Sequence, residues 1–221
     1  MFEDLTSSHK DALDDILKAR RSVRAFSPIP PSRDEVEQII RAGLIAPFAS
    51  LPAKGKTDFR KIIVMSTSSS NIEKVKSIIK ANIPKITSEM ENDPKLSTPE
   101  KNFFGSIDVD KIDNRLFSNA PYLIIAAERK GFPPTYMADQ SISLSYCMYS
   151  MWLKATSLKI GFRLVSLFVH LRLGNDKEFC QLLGIPTGEY AIDACVIGYP
   201  AEGYRPQSVN YPDFDSNVKW L

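Results

Sequence analysis

The stretch "KARRSVRAF", Lys18 to Phe26, places Lys18, Arg20, Arg21 and Arg24 within seven residues, with Ser22 among them. Guanidinium groups grip phosphates and carboxylates through paired parallel hydrogen bonds, and a nearby hydroxyl adds a further donor. Such a run is a solvated charged face, a nucleic-acid patch or a socket for one anion. The chain's net charge is only +2, so no overall field draws it to nucleic acid. The acidic residues Asp11, Asp14, Asp15, Asp34, Glu35 and Glu37 lie close by in the sequence. The cluster is local, carries the single aromatic Phe26 and does not extend along the chain, which makes a nucleic-acid patch the weakest reading.

The preceding "SSHKDALDDILKARR" reads as a helix capped by Ser7 or Ser8, with Leu13, Ile16 and Leu17 as its apolar stripe. At about 100° per residue from Leu13, Arg20 falls near ~340°, inside the stripe, and Lys18 near ~140°, outside it. Arg24 would fall near ~20° if the helix ran on. Lys18 is therefore expected to face water and Arg20 to face inward. A buried guanidinium needs a partner. That partner is either a carboxylate elsewhere in the fold or a bound phosphate or carboxylate.

Other chemistries lack their residues. The chain has two histidines, His9 and His170, and neither G-x-S-x-G nor H-E-x-x-H, which argues against a His-rich metal site and a Ser-His-Asp triad. No G-x-G-x-x-G occurs among the ten glycines, so there is no Rossmann fingerprint. "SLPAKGKT", Ser50 to Thr57, ends like a P-loop, but Ser50 stands at the first glycine and the stretch precedes a strand. Cys147, Cys180 and Cys195 have no CxxC spacing and read as reduced, buried thiols of a cytoplasmic protein. The chemistry is then either brought by a cofactor or absent.

The 221 residues, 43% hydrophobic and 24% charged, suit one globular domain spanning 1–221. The N-terminus "MFEDLTSSHKDALDD" is acidic and polar, unlike a secretory signal. "PSRDEVEQIIRAGLIAP" is a helix opened by a Ser32–Glu35 capping box, with Val36, Ile39, Ile40 and Leu44 on one face and Pro47 as its stop. Strands are expected at Arg60–Ser66, Ala120–Ala127 and over "YAIDACVIGYP". "SSNIEKVKSIIKANIPKITSEMEND" is helical with a break near Pro84, and a short helix is expected between Asp93 and Asp113. "NDKEFCQLLGI" is a short helix, and the tail 201–221 has no regular element. "MADQSISLSYCMYSMWLKATSLKIG" is a long, buried central helix. Its apolar stretch is about half of a membrane span. Hydrophobic nearly all round, it must be covered on every side, which a subunit interface does readily. Few strands among many helices argue α+β or α/β with a central sheet flanked by helices.

R-R-S-V-R-x-F after an amphipathic helix, followed by "SPIPPS" and a capped helix ending in A-P, resembles the start of the FMN-dependent nitroreductase family. "RKIIVM", "NAPYLIIAA", the long helix running into "SLKIGF" and "LLGIPTGEYAIDACVIGYP" follow in the family's order, and the resemblance covers roughly 10 to 206. It implies an α+β fold with a mixed or antiparallel sheet, an intertwined homodimer, and FMN at the subunit interface. The tail 201–221 is expected to extend over the partner subunit. The implied activity passes a hydride from NADH or NADPH through FMN to a nitroaromatic, quinone or similar flat acceptor by a ping-pong route. No membrane or nucleic-acid partner is implied.

By the same resemblance, Arg20, Arg21 and Ser22 match the residues that hold the FMN phosphate and ribityl end, with Arg24 at the following basic position and Arg205 the basic residue after G-Y-P. Asn114 and Arg115 match a polar and basic pair near the flavin, while Ser166, Leu167 and Phe168 line the isoalloxazine ring. Pro47, Ala49 and Ser50 match the loop "APFASLPAKGKT", where Phe48 replaces a serine and the family's N-x-Q-P-W is lost. Arg163 also departs, standing where a small residue or aspartate is usual. The altered loop keeps a second reading open, a flavin carrier or sensor, or a specialised member without general NAD(P)H reductase activity. A helical α/β interaction domain with no cofactor is the third.

Overall fold

Ser32 accepts a hydrogen bond from the Glu35 amide at 3.3 Å, and Glu35 accepts one from the Ser32 amide at 2.8 Å. This capping box opens helix α2, Arg33–Leu44, where the sequence places it. The computed structural model describes residues 6–48, 58–95, 97–99, 116–130, 137–208 and 211–220. In chain order these hold α1 (Ser7–Ala19), α2, β1 (Arg60–Ser66), α3 (Ser70–Glu91), β2 (Tyr122–Arg129), α4 (Met137–Ser157), β3 (Gly161–Leu164), α5 (Leu167–His170), a 3₁₀ turn (Leu173–Asn175), α6 (Lys177–Leu183), β4 (Tyr190–Gly198) and α7 (Phe214–Asn217).

The strands form one four-stranded sheet in the order β1-β2-β4-β3, with every neighbouring pair antiparallel. A single parallel bridge, Ser22 to Phe162, adds the segment after α1 beside β3. Residues alternate between two cores, as the two-residue period of a strand requires. Leu123, Ile125 and Ala127 of β2 join Ile192, Ala194 and Val196 of β4 on the α3 side. Ile124 and Ala126 join Cys195 and Ile197 beneath α2 and α4. Both faces are covered, which gives β2 its unbroken apolar run.

Several expectations shift. α3 runs through Pro84 without a break. Pro84 is exposed, and Ile79, Ile83 and Ile86 carry the buried stripe past it, so packing holds both halves in one helix. β2 begins two residues later than expected and continues through Glu128 and Arg129. Ser118 and Asn119 take left-handed φ values of 48° and 62°, and this turn delays the strand. β3 was hidden in the sequence, because four residues carry too little periodicity beside an apolar helix. α4 stops at Ser157, and Lys159 turns the chain with φ 58°. The tail contains the short helix α7. Most of the helix expected between Asp93 and Asp113 lies outside the described residues.

Two apolar stripes are uncovered. No residue of α1 is buried: Leu13 is 50% exposed and Leu17 38%, and its N-cap is Thr6 rather than Ser7 or Ser8. On α4, Ile142, Tyr146 and Tyr149 are 41%, 47% and 45% exposed, on one face by their helical spacing. The central helix is therefore buried on its sheet side and bare along this row. Leu44, expected on the buried face of α2, is also exposed. Among the described residues, no helix is long and apolar enough to cross a membrane.

Candidate functional site

The cationic cluster begins where α1 ends. Arg20 leaves helical geometry with ψ 123°. Arg21 Nη1 donates to the carbonyls of Lys18 (2.6 Å) and Arg20 (2.7 Å), so this guanidinium covers carbonyls at the helix end. Arg20 is half-buried, with its guanidinium 4.5 Å from the Trp152 ring centroid. Trp152 Nε1 donates to Arg21 O at 3.2 Å, and its ring stacks on Phe162. Lys18 is exposed. The cluster splits as the helical wheel divides it, although Arg20 meets an aromatic face, a favourable seat for a cation.

Backbone pairing draws the far end of the chain to the cluster. Val23 N donates to Phe162 O (3.1 Å), Ser27 N to Tyr199 O (2.8 Å) and Ala201 N to Ala25 O (3.0 Å). Tyr204 donates its hydroxyl to Ser22 O at 3.0 Å and accepts from Arg24 N at 3.2 Å. Arg205 follows it and is exposed. Arg24 is also exposed, with Nη1 3.5 Å from Gln207 Oε1. Thus Arg20, Arg21, Ser22 and Arg24 form one segment braced by residues 199–204, and Arg205 adjoins the brace.

β3 adds a cation. Arg163 Nη2 donates to Leu116 O, while its buried Nε has no partner among the described residues. Burial, and then the like charge of Arg24, lower the Arg163 guanidinium from its ordinary value. The ion pairs among the described residues include none of Arg20, Arg21, Arg24, Arg163 or Arg205. The carboxylate partner that Arg20 could have found is therefore not among the described residues.

The remaining expected residues sit on other segments. Ser166 is exposed at the start of α5 and Leu167 is half-buried. Phe168 is fully buried against Phe179 with ring centroids 5.8 Å apart, so its side chain belongs to the core. Pro47 is exposed and Phe48 packs on Phe59 at 4.6 Å. Ala49, Ser50, Asn114 and Arg115 lie outside the described residues.

Arg60 holds the entrance to the Pro47–Phe48 segment. It donates through Nη1 to Gly43 O (2.6 Å) and Ala46 O (2.7 Å), through Nη2 to Pro47 O (3.1 Å), and through Nε to Glu128. Sequence reading passed over Arg60, Glu128, Trp152 and Tyr204. The available signal was a charge at the edge of an apolar strand, as in "YLIIAAER", which must be paired if buried.

Cations that form no ion pair among the described residues, beside a serine hydroxyl, fit a phosphate monoester. Arg20, Ser22, Arg24 and Arg205 are the residues that could hold it. Cys147, Cys180 and Cys195 are buried and unpaired, and burial pushes the Cys147 thiol up to about 12, unsuited to a thiolate nucleophile. No group of three metal-ligating side chains exists among the described residues.

A four-stranded antiparallel sheet wrapped by helices, with a cationic segment at the first helix end braced by the residues after the last strand, defines an α+β protein of nitroreductase fold. The chain belongs to the nitroreductase family, whose model matches residues 17–199. No curated protein sequence matches it. Among solved structures it resembles a nitroreductase with bound FMN from Bacteroides fragilis, at 19% identity and TM-score 0.68, over 95% of this chain and 98% of that one. A BluB-like flavoprotein from Clostridium difficile matches at 18% identity and TM-score 0.67, over 95% and 98%. An FMN- and NADPH-dependent nitroreductase derived from sphigopyxis sp. matches at 17% and 0.62, over 94% and 98%. At these identities the likeness concerns the fold.

Proposed function

We propose that the chain is an FMN-dependent oxidoreductase that takes reducing equivalents from NADH or NADPH and delivers them to a nitroaromatic, quinone or similar flat acceptor in a ping-pong cycle. The observation that carries this is the segment of Arg20, Ser22 and Arg24, braced by the residues after β4 and without a carboxylate ion-pair partner among the described residues, in a nitroreductase-family chain. When bound, FMN would supply the hydride chemistry between donor and acceptor.

The chain's own part is to bind and orient. Arg20, Ser22, Arg24 and Arg205 would hold the phosphate and ribityl end. Trp152 fixes the Arg20 plane, and Tyr204 ties Ser22 and Arg24 to the segment after β4. Positioning of this kind lowers the entropic part of a transfer barrier. Asn114, Arg115, Ala49 and Ser50, together with Pro47, Phe48 and the 166–168 segment, would approach the flavin ring, the last largely through backbone groups. No protein nucleophile is required.

The working form we propose is a homodimer. The exposed row of Ile142, Tyr146 and Tyr149 supports it, since an apolar helix face of this kind is usually covered by a partner. The unpaired thiols fit a reducing, cytoplasmic setting.

The visible absorption spectrum tests the proposal. Copurifying or added FMN should give a bound-flavin spectrum that bleaches on mixing with NADH or NADPH. A chain that binds no flavin rules the function out. A bound flavin that neither donor reduces points instead to the carrier, sensor or specialised reading.

A further inference from the structure

Arg163 is half-buried on β3, the edge strand beside the arginine segment. The parallel bridge from Ser22 to Phe162 and the Val23 to Phe162 hydrogen bond fix the two segments side by side. Gly161 makes this approach possible: a Cβ there would lie 2.8 Å from Val23 Cβ. Backbone pairing thereby sets Arg24 and Arg163, each one or two residues from the paired positions, on adjoining segments. One Arg163 donor reaches Leu116 O, and its buried Nε has no acceptor among the described residues. A half-buried cation with an orphaned donor is costly without a compensating acceptor. Among the described residues, the Arg24 guanidinium donates to an amide oxygen, Gln207 Oε1, and pairs with no carboxylate.

We propose that Arg163 is a further ligand-binding residue, which donates to an acceptor of the bound flavin nucleotide beside Arg24. This rests on the FMN reading and extends it to a residue outside the phosphate-holding set. The nucleotide offers two acceptors, the charged phosphate and the neutral carbonyls of the pyrimidine edge of the ring.

The experiment measures the affinity of the full-length chain for FMN and for riboflavin over a KCl series, in wild type, Arg163→Gln and Arg163→Lys. Glutamine removes the charge and shortens the side chain, and lysine keeps the charge. Arg163→Gln should weaken binding about tenfold and flatten its salt dependence, with Arg163→Lys recovering most of the loss. A loss confined to FMN assigns the phosphate to Arg163; a loss shared by riboflavin assigns the ring edge. Arg163→Gln binding with wild-type affinity and salt dependence overturns the proposal. So does Arg163→Lys falling as far as Arg163→Gln, which would make Arg163 a structural contact to Leu116. The wild-type arm reads the flavin proposal separately: a wild type that binds neither flavin removes both readings. Thermal unfolding of each chain without ligand establishes that the variants fold, and the conservative Arg163→Lys serves if Arg163→Gln does not.

Discussion

Arg60 and Glu128 face each other in register across β1 and β2, and their side chains, 2% and 0% exposed, form an ion pair sealed from solvent. The same guanidinium donates to the carbonyls of Gly43, Ala46 and Pro47. One side chain thus neutralises a buried carboxylate and satisfies the end of α2, where the helix dipole favours a cation. It also anchors the start of the loop that departs from the family pattern.

Removing Arg60 should therefore cost far more than a surface ion pair. Arg60→Met leaves Glu128 charged or orphaned and removes a guanidinium donor from three carbonyls, of which Gly43 O keeps the Ala46 amide. The expected loss is about 3–5 kcal/mol, read from urea denaturation. Arg60→Met combined with Glu128→Leu should recover part of it, because the buried charge is gone. A single-variant loss under about 1 kcal/mol would show the pair to be incidental.

Glu128 also gives stability a pH slope. Burial raises its carboxyl, against the pull of Arg60, from 4.5 to about 7. The folded state then holds a proton that the unfolded state has released, so stability present below about pH 4.5 is lost as pH rises through about 7. Asp193, raised to about 6 by burial, slopes the same way. Glu128→Gln should flatten the wild-type fall by up to about 3 kcal/mol across that window, measured as urea midpoints at fixed pH. A Glu128→Gln profile parallel to wild type would rule out Glu128 as the titrating group.

Where a residue's role follows from local spacing, the sequence made it visible. The Ser32–Glu35 box, β1 and the split between Lys18 and Arg20 needed only neighbours along the chain. Contacts made by tertiary pairing were hidden. Nothing in "RKIIVMS" says that Arg60 meets Glu128, 68 positions away. Nothing near Arg20 names Trp152. The wheel also placed Leu13 and Leu17 against a core, whereas α1 exposes both in the single chain. A stripe shows that a face seeks cover and leaves open which surface supplies it. β3 was lost because four residues beside a helix carry no readable period.

The wheel's division of the cluster predicts unequal variants. Arg20 is seated on Trp152 and aimed by it, while Lys18 is exposed. Arg20→Ala should weaken FMN binding about tenfold, with Lys18→Ala within about twofold of wild type, measured by quenching of flavin fluorescence. Trp152→Leu should fall between them, since it frees the guanidinium without removing it. Equal effects of Arg20→Ala and Lys18→Ala would defeat the clamp.

Gly161→Ala tests the seam that joins the arginine segment to the sheet. The new methyl would press on Val23 Cβ, Cγ1 and Cγ2 at 2.8, 2.9 and 2.9 Å, and β-branched valine has little room to turn. The segment must shift from β3, straining the Val23 to Phe162 hydrogen bond. Overpacking of this kind costs about 1–3 kcal/mol. Urea denaturation should show that loss, and FMN affinity should fall with it although no cation has changed. A stability loss with unaltered FMN affinity would mean that the socket does not depend on this seam.

Ile142, Tyr146 and Tyr149 of α4 lie at spacings of four and three residues and face one way. A lone apolar row on a helix that packs the sheet with its other side is a surface awaiting a partner, and a second copy supplies one of matching character by symmetry. A glutamate at its centre would bury a charge against its own image. Tyr146→Glu should therefore shift sedimentation at micromolar concentration from dimer to monomer. The intrachain fold should remain, because Tyr146 points away from the core shared by Cys147 and Met151. A wild type that sediments as a monomer would reject this assembly. An unchanged dimer in Tyr146→Glu would place the interface on another surface, with the exposed Leu13 and Leu17 of α1 the next to test.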